Sequence, residues 1–128
     1  RLRWLACLCL AMTLGCANRQ DVDCPDGLTV DTSHMDQAVR AEYSAYQTKD
    51  RVVIHAKGDL PAGYEGVFVR GATQIYPPEF TLMRHRMHGE YRAKQHTFDS
   101  CVAFKLEGPV TSVTVHDADG PHQVKVGR

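Results

Sequence analysis

The chain has 128 residues, 43% of them hydrophobic, with 15 basic and 15 acidic side chains. Setting aside an apolar leader at residues 1–16 leaves 112 residues, carrying 13 basic and 15 acidic groups. That is room for one domain and too little for two. A net charge near −2 also argues against a nucleic-acid partner, which would require a basic excess to neutralise phosphates.

Arg1 and Arg3 precede an apolar run, Trp4 to Leu14, that ends at Gly15-Cys16. A positive start, a short apolar stretch and small residues at its end are the layout of a secretory signal peptide. At ~1.5 Å per residue the run spans about 16 Å, half a bilayer core, so it is too short for a transmembrane helix. The stretch Thr13-Leu14-Gly15-Cys16 resembles the lipobox of bacterial lipoproteins. In that family a Gly precedes a Cys that receives a diacylglycerol and becomes the new N-terminus. Gly15 and Cys16 fit, whereas Thr13 and Leu14 depart from the usual Leu followed by a small residue. An ordinary signal cut nearby, for example after Ala17, is the alternative. The resemblance implies lipidation of Cys16 and anchoring to a membrane by two or three acyl chains, above the threshold for stable attachment. With Ala17 next, and in a Gram-negative source, it implies the outer membrane, facing the periplasm or the cell surface.

Five cysteines then sort by position. Cys7 and Cys9 leave with the leader, and Cys16 is the lipid site. Cys24 and Cys101 remain, an even pair in an oxidising compartment without Cys-x-x-Cys spacing, so a structural disulfide is expected. Closing a loop of roughly 78 residues is worth ~4–5 kcal/mol in the chain-entropy view.

Residues 17–33 are polar and turn-rich and read as a tether, pinned to the domain at Cys24. A single domain then covers 34–128. Its first stretch, 34–48, carries two patterns. Met35, Val39, Tyr43 and Tyr46 fall within about 80° on a helical wheel, with Ser33 as a cap, which suggests a short N-terminal helix. Val39 to Tyr46 also alternates as a half-buried strand, and the β-rich context with a turn at Gln47–Asp50 favours that form.

Downstream, Val52, Ile54 and Ala56 alternate with Val53, His55 and Lys57 in a strand expected to stop at Gly58. Asp59 to Gly63 reads as a turn, and Tyr64 to Arg70 as a strand with Val67 and Val69 on one face. Gln74 to Tyr76 is short and extended, and Pro77-Pro78 suits an edge or corner. Phe80 and Leu82 open a strand that ends near His88-Gly89. Tyr91 to Phe98 and the alternation of Val102, Phe104 and Leu106 follow. Val110–His116 and Gln123–Val126 flank Asp117-Ala118-Asp119-Gly120-Pro121 as a hairpin, with Val113, Val115, Val124 and Val126 inward. Seven to eight short strands at this spacing, and thirteen valines against four leucines after residue 16, predict an all-β fold. The expected form is a small antiparallel sandwich of immunoglobulin-like architecture. The Cys–Trp–Cys signature of true immunoglobulin domains is absent, since the one Trp is Trp4.

Seven histidines are the compositional oddity: His34, His55, His85, His88, His96, His116 and His122. With methionine nearby they suggest copper or zinc handling, and the best cluster is Met83, His85, Met87 and His88. Arg84 and Arg86 interleave there and set two positive charges beside any cation, and the spacing matches no known metal motif, so no metal is assigned. Alternation turns His116 outward and His122 inward, which separates that pair. Asp117-Ala118-Asp119-Gly120 opens like a calcium loop but lacks the remaining ligands, so it reads as a turn. No hydrolase elbow, zinc-protease motif or phosphate loop occurs, and Ser100 next to Asp99 faces the opposite side of a strand. Tyr43, Tyr46, Tyr64, Tyr76 and Tyr91 are candidates for a binding face. The function expected is therefore a membrane-anchored, extracytoplasmic envelope module that binds or supports a protein partner, without catalysis or cofactor. A periplasmic copper or zinc module is the alternative.

Overall fold

The computed structural model describes residues 24–27, 35–72, 74–87, 89 and 94–128. Eight strands follow in order: β1 (Asp36–Gln37), β2 (Glu42–Gln47), β3 (Arg51–Pro61), β4 (Tyr64–Arg70), β5 (Phe80–Arg86), β6 (Gln95–Lys105), β7 (Ser112–Asp117) and β8 (Gly120–Gly127). The fold is all-β, and among the described residues there is no helix. The short N-terminal helix considered for 34–48 is corrected: from Met35 on, the stretch is extended, as β1, a crossing at 38–41, and β2. Six β2 residues pair with β3, from Glu42↔Lys57 to Gln47↔Val52. That ladder, with Ala41 and Ala45 buried against the core, outweighs a helical stripe that would have left Val39, here exposed, on its buried side.

The expectation of an antiparallel arrangement is also corrected, because the sheet is mixed. Its order is β1-β5-β7-β8-β2-β3-β6, with β4 on the other flank of β5. Most neighbours are antiparallel, but β2 meets β8 in parallel at Ala45↔Val126 and Tyr46↔Gly127. A second parallel contact joins β5 to β7 at Phe80↔Val115 and Thr81↔His116. Two-residue contacts of this kind leave no mark on local alternation, which is the same for both directions.

The sheet curls until β4 faces β6. Gly66 makes the approach possible, since a Cβ there would sit 2.6 Å from the Phe98 ring. Side chains lace the seam: Ser100 Oγ donates to the Gly66 carbonyl, and the His96 ring bonds the Tyr64 carbonyl through Nε2. Inside the curl lie Phe80, Phe104, Ile54, Leu60, Leu82, Val52, Val102, Val113 and Val115, all fully buried or nearly so. Each such side chain contributes ~1.5–3 kcal/mol of apolar burial.

Several boundaries differ from the sequence expectation: β5 ends at Arg86, Gln95 to Lys105 form one strand, β7 starts at Ser112 and β8 already at Gly120. β3 runs through Gly58 to Pro61, because Gly58 accepts Phe98 and Ala41 against its bare Cα. The turn shrinks to Ala62-Gly63, with Gly63 at φ +91°. In β4 the buried positions are Gly66 and Phe68, so Val67 and Val69 take the outer face.

Cys24 and Cys101 are joined, with Cα atoms 5.4 Å apart. Residues 24–27 are thereby laid over the outer face of β3 and β6. Cys24, Val53 and Ala103 form a second small cluster there, and the Pro25 carbonyl accepts from Ala103 N–H. Val52, Val53 and Ile54 are consequently all buried, although strand alternation alone would expose one of them.

A groove between two parallel strands

β2 and β8 are joined only at their C-terminal ends. Glu42–Ser44 are laddered to β3 alone, and Gly120–Lys125 to β7 alone. Over this gap lies an open groove of about 1000 Å³, whose lining includes Glu42, Ser44, His55, Asp99, His122 and Lys125.

Behind two residues of the groove lining, Tyr43 and His122, sits Asp117, the last residue of β7. It continues the inward row of Val113 and Val115, and it is 2% exposed. A carboxylate at that depth must be satisfied, and three donors meet it. Oδ1 accepts from the His122 Nε2 at 2.9 Å and from the Asp119 N–H at 2.8 Å, while Oδ2 accepts from the Tyr43 hydroxyl at 2.5 Å. Burial alone would raise the Asp117 pKa, and it is the largest single influence. The bonds from Tyr43, His122 and Asp119 together outweigh it and hold the carboxyl below its ordinary value. Because an ionised carboxylate only accepts, Nε2 of His122 carries a hydrogen. Burial first, then the hydrogen bond to Asp117 and its charge, push the Tyr43 phenol well above its usual pKa. Tyr43 is therefore a donor and an anchor, not a nucleophile.

The outer face carries a second group. Tyr46 stacks on His55, ring centres 5.9 Å apart and planes at 15°. Ser44 lies opposite His55 in register, and His55 Nδ1 is 3.8 Å from Asp99 Oδ1. Ser, His and Asp thus converge, but 3.8 Å exceeds hydrogen-bond reach and the Asp99 side chain is 65% exposed. Asp99 does not lock the imidazole as a hydrolase triad requires. The group offers a polar, aromatic surface for contact.

Of the residues nominated for metal, Met83 and His85 share the outer face of β5, opposite Val67 and Glu65. Met87 lies past the strand end, its N–H on the Gly63 carbonyl. His88, Cys16, His34 and Tyr91 lie outside the described residues. Arg84 and Arg86 do not interleave with Met83 and His85 as expected; they turn to the opposite face, against Tyr64. His116 faces outward to Glu79 at 2.8 Å and His122 inward to Asp117, as alternation requires. Asp117 to Gly120 is a hairpin turn in which Gly120 takes φ +109°.

The Tyr43–Asp117–His122 cluster was not anticipated from sequence. Its one signal is that Asp117 extends the odd-numbered inward row, and an acid placed inward calls for donors. Comparison with known families, characterised proteins and solved structures finds no match to this chain, so its function is argued from these residues alone.

Proposed function

We propose that this protein is a lipid-anchored module of the cell envelope, exported and tethered through Cys16, that binds a partner in the β2–β8 groove without catalysis. The observation that carries the proposal is the Cys24–Cys101 disulfide. Such bonds persist in oxidising compartments, and this one sits eight residues after the cysteine that an export signal and lipobox-like motif would expose. Attachment to the outer membrane, facing the periplasm or the surface, follows from Ala17 in the same proposal. Binding is favoured over chemistry by how the titratable groups are committed: Asp117 already accepts three bonds, and Tyr43 is held protonated. We read the curl as two facing layers, β4-β5-β7-β8 against β2-β3-β6, a sandwich-like arrangement of immunoglobulin kind. Contact of Phe98 with Gly66 across the seam supports it.

Mass spectrometry of the mature N-terminus, isolated from membranes, tests the anchor. A diacylglyceryl Cys16, and release of a Cys16→Ser form, are the expected results. A free N-terminus at or beyond Ala17 would overturn it.

The copper or zinc alternative is favoured by one observation, the shared outer face of Met83 and His85 with both arginines turned away. Calorimetric titration with Cu(I) or Zn(II) decides it: one-to-one binding lost in His85→Ala supports that role, and heats of dilution alone end it.

A further inference from the structure

Arg84 continues the inward row of β5 after Phe80 and Leu82, at the end of the curl where Ala62-Gly63 turns β3 into β4. Its guanidinium carbon lies 4.8 Å from the centre of the Tyr64 ring. Arg86, two residues on and therefore on the same face, lies 5.7 Å from that ring, with Nη1 3.4 Å from the Tyr64 hydroxyl. Two guanidinium groups thus share one tyrosine. Compensation is thin among the described residues. Asp36 Oδ2 stands 3.6 Å from Arg84 Nη2, and its side chain is 73% exposed. Arg84 Nε is buried and has no hydrogen-bond partner among the described residues. Lys94 adds a cation at this end, since its carbonyl receives the Ala62 N–H.

A buried N–H left without an acceptor forfeits its hydration, even where the rest of its guanidinium is partly exposed and paired, as that of Arg84 is. Two neighbouring guanidinium groups also repel each other, unless something anionic lies between them. A guanidinium presents a planar fork of donors that matches phosphate oxygens, and groups about 7 Å apart on one strand face can grip one tetrahedral anion from two sides. A carboxylate, with two coplanar oxygens, satisfies one fork but not both.

We propose that Arg84 and Arg86, both braced against Tyr64, form a binding site for a phosphate-type oxyanion, whether free phosphate or the headgroup of an anionic phospholipid. The site is separate from the β2–β8 groove and does not depend on lipidation of Cys16.

The test uses the full exported chain carrying Cys16→Ser, so that no acyl chain contributes to membrane binding. Inorganic phosphate is titrated while the arginine Nε–Hε signals are followed by NMR, with chloride at equal ionic strength as the control. Vesicles of phosphatidylglycerol and of phosphatidylcholine form the second arm. The expected result is a saturable shift of the Arg84 Nε–H with phosphate and not with chloride, weakened about tenfold or more in Arg86→Gln. Arg70→Gln, on a different part of the sheet, should leave it unchanged. Sedimentation with phosphatidylglycerol vesicles only, lost in Arg86→Gln, would identify the headgroup as the source. Equal shifts with chloride, or neither phosphate binding nor variant-sensitive vesicle binding, would overturn the proposal. Arg86 is exposed, so its substitution leaves a folded protein even where Arg84→Gln does not.

Discussion

The Tyr43 hydroxyl donates a 2.5 Å hydrogen bond to Oδ2 of Asp117, joining residues 74 positions apart. It ties β2 to the end of β7 at the place where pairing between β2 and β8 has stopped. With the bond from His122, it fixes one residue from each strand bordering the groove, β2 and β8, to the same carboxylate.

Removing the donor should be costly in proportion. Tyr43→Phe keeps the ring and deletes one hydrogen bond to a charged group, an expected loss of about 1–3 kcal/mol. Asp117→Ala strands three donors at once and should cost ~3–5 kcal/mol. Urea melts of both variants, with wild type, measure this. A Tyr43→Phe protein within 0.5 kcal/mol of wild type, on the order of an ordinary surface change, would mean that the bond is idle.

The same cluster makes stability sensitive to pH at both ends. The Asp117 pKa is lower folded than unfolded, so its contribution is present above the unfolded value of about 4 and disappears as pH falls through the depressed folded value. The Tyr43 pKa is higher folded than unfolded, so its contribution is present below about pH 10 and fades as pH rises beyond. Melting temperature against pH should therefore drop at both extremes, with the alkaline drop reduced in Tyr43→Phe and the acid drop reduced in Asp117→Asn. Profiles identical to wild type in both variants would refute the linkage.

In the C-terminal hairpin, Val113, Val115, Val124 and Val126 are buried while Gln123 and Lys125 face water. Val115→Asp places an unpaired carboxylate among them and should cost ~3 kcal/mol or more. Lys125→Asp alters a solvated side chain and should cost no more than about 0.5 kcal/mol. Denaturant melts that showed the reverse order would place the inward face on the other residues.

That hairpin was legible because it is local: strict alternation on both arms and an Asp-Gly turn between them. The disulfide was legible from parity, since two cysteines follow the leader-like stretch and its terminal Cys16. Other features depend on distant partners. Gly58 and the 59–63 stretch read as a stop and a turn, yet Phe98 and the ladder from β6 carry β3 past Gly58 as far as Pro61. Val67 and Val69 share one face as alternation requires, but which face is inward is decided by Phe68, which is buried with Gly66. The two parallel contacts and the Asp117 cluster join segments whose separate patterns say nothing of each other.

The disulfide closes a separation of 77 residues, and its loss should cost ~3–5 kcal/mol. Cys24→Ala/Cys101→Ala, or reduction, should lower the melting temperature and free the Pro25 carbonyl from Ala103. Thiol titration before and after unfolding checks the pairing: two reactive thiols in the folded, unreduced Cys16→Ser chain would show that the bond does not form.

The covalent link also decides how the molecule carries mechanical load. Tension entering from an anchor ahead of Cys24 passes through the two sulfur atoms into Cys101 and on toward the C-terminus. Everything from Pro25 to Ser100, including β1 through β5, lies in a closed loop off the force path. After Cys101, the 27 residues to Arg128 can be drawn out, at most about 95 Å at full extension. A partner pulling on β8 would thus strip β8, β7 and the end of β6 after Cys101 while the rest stayed slack. Under the proposed anchoring, how much of the domain yields to a pull is set by the disulfide and not by the size of the domain.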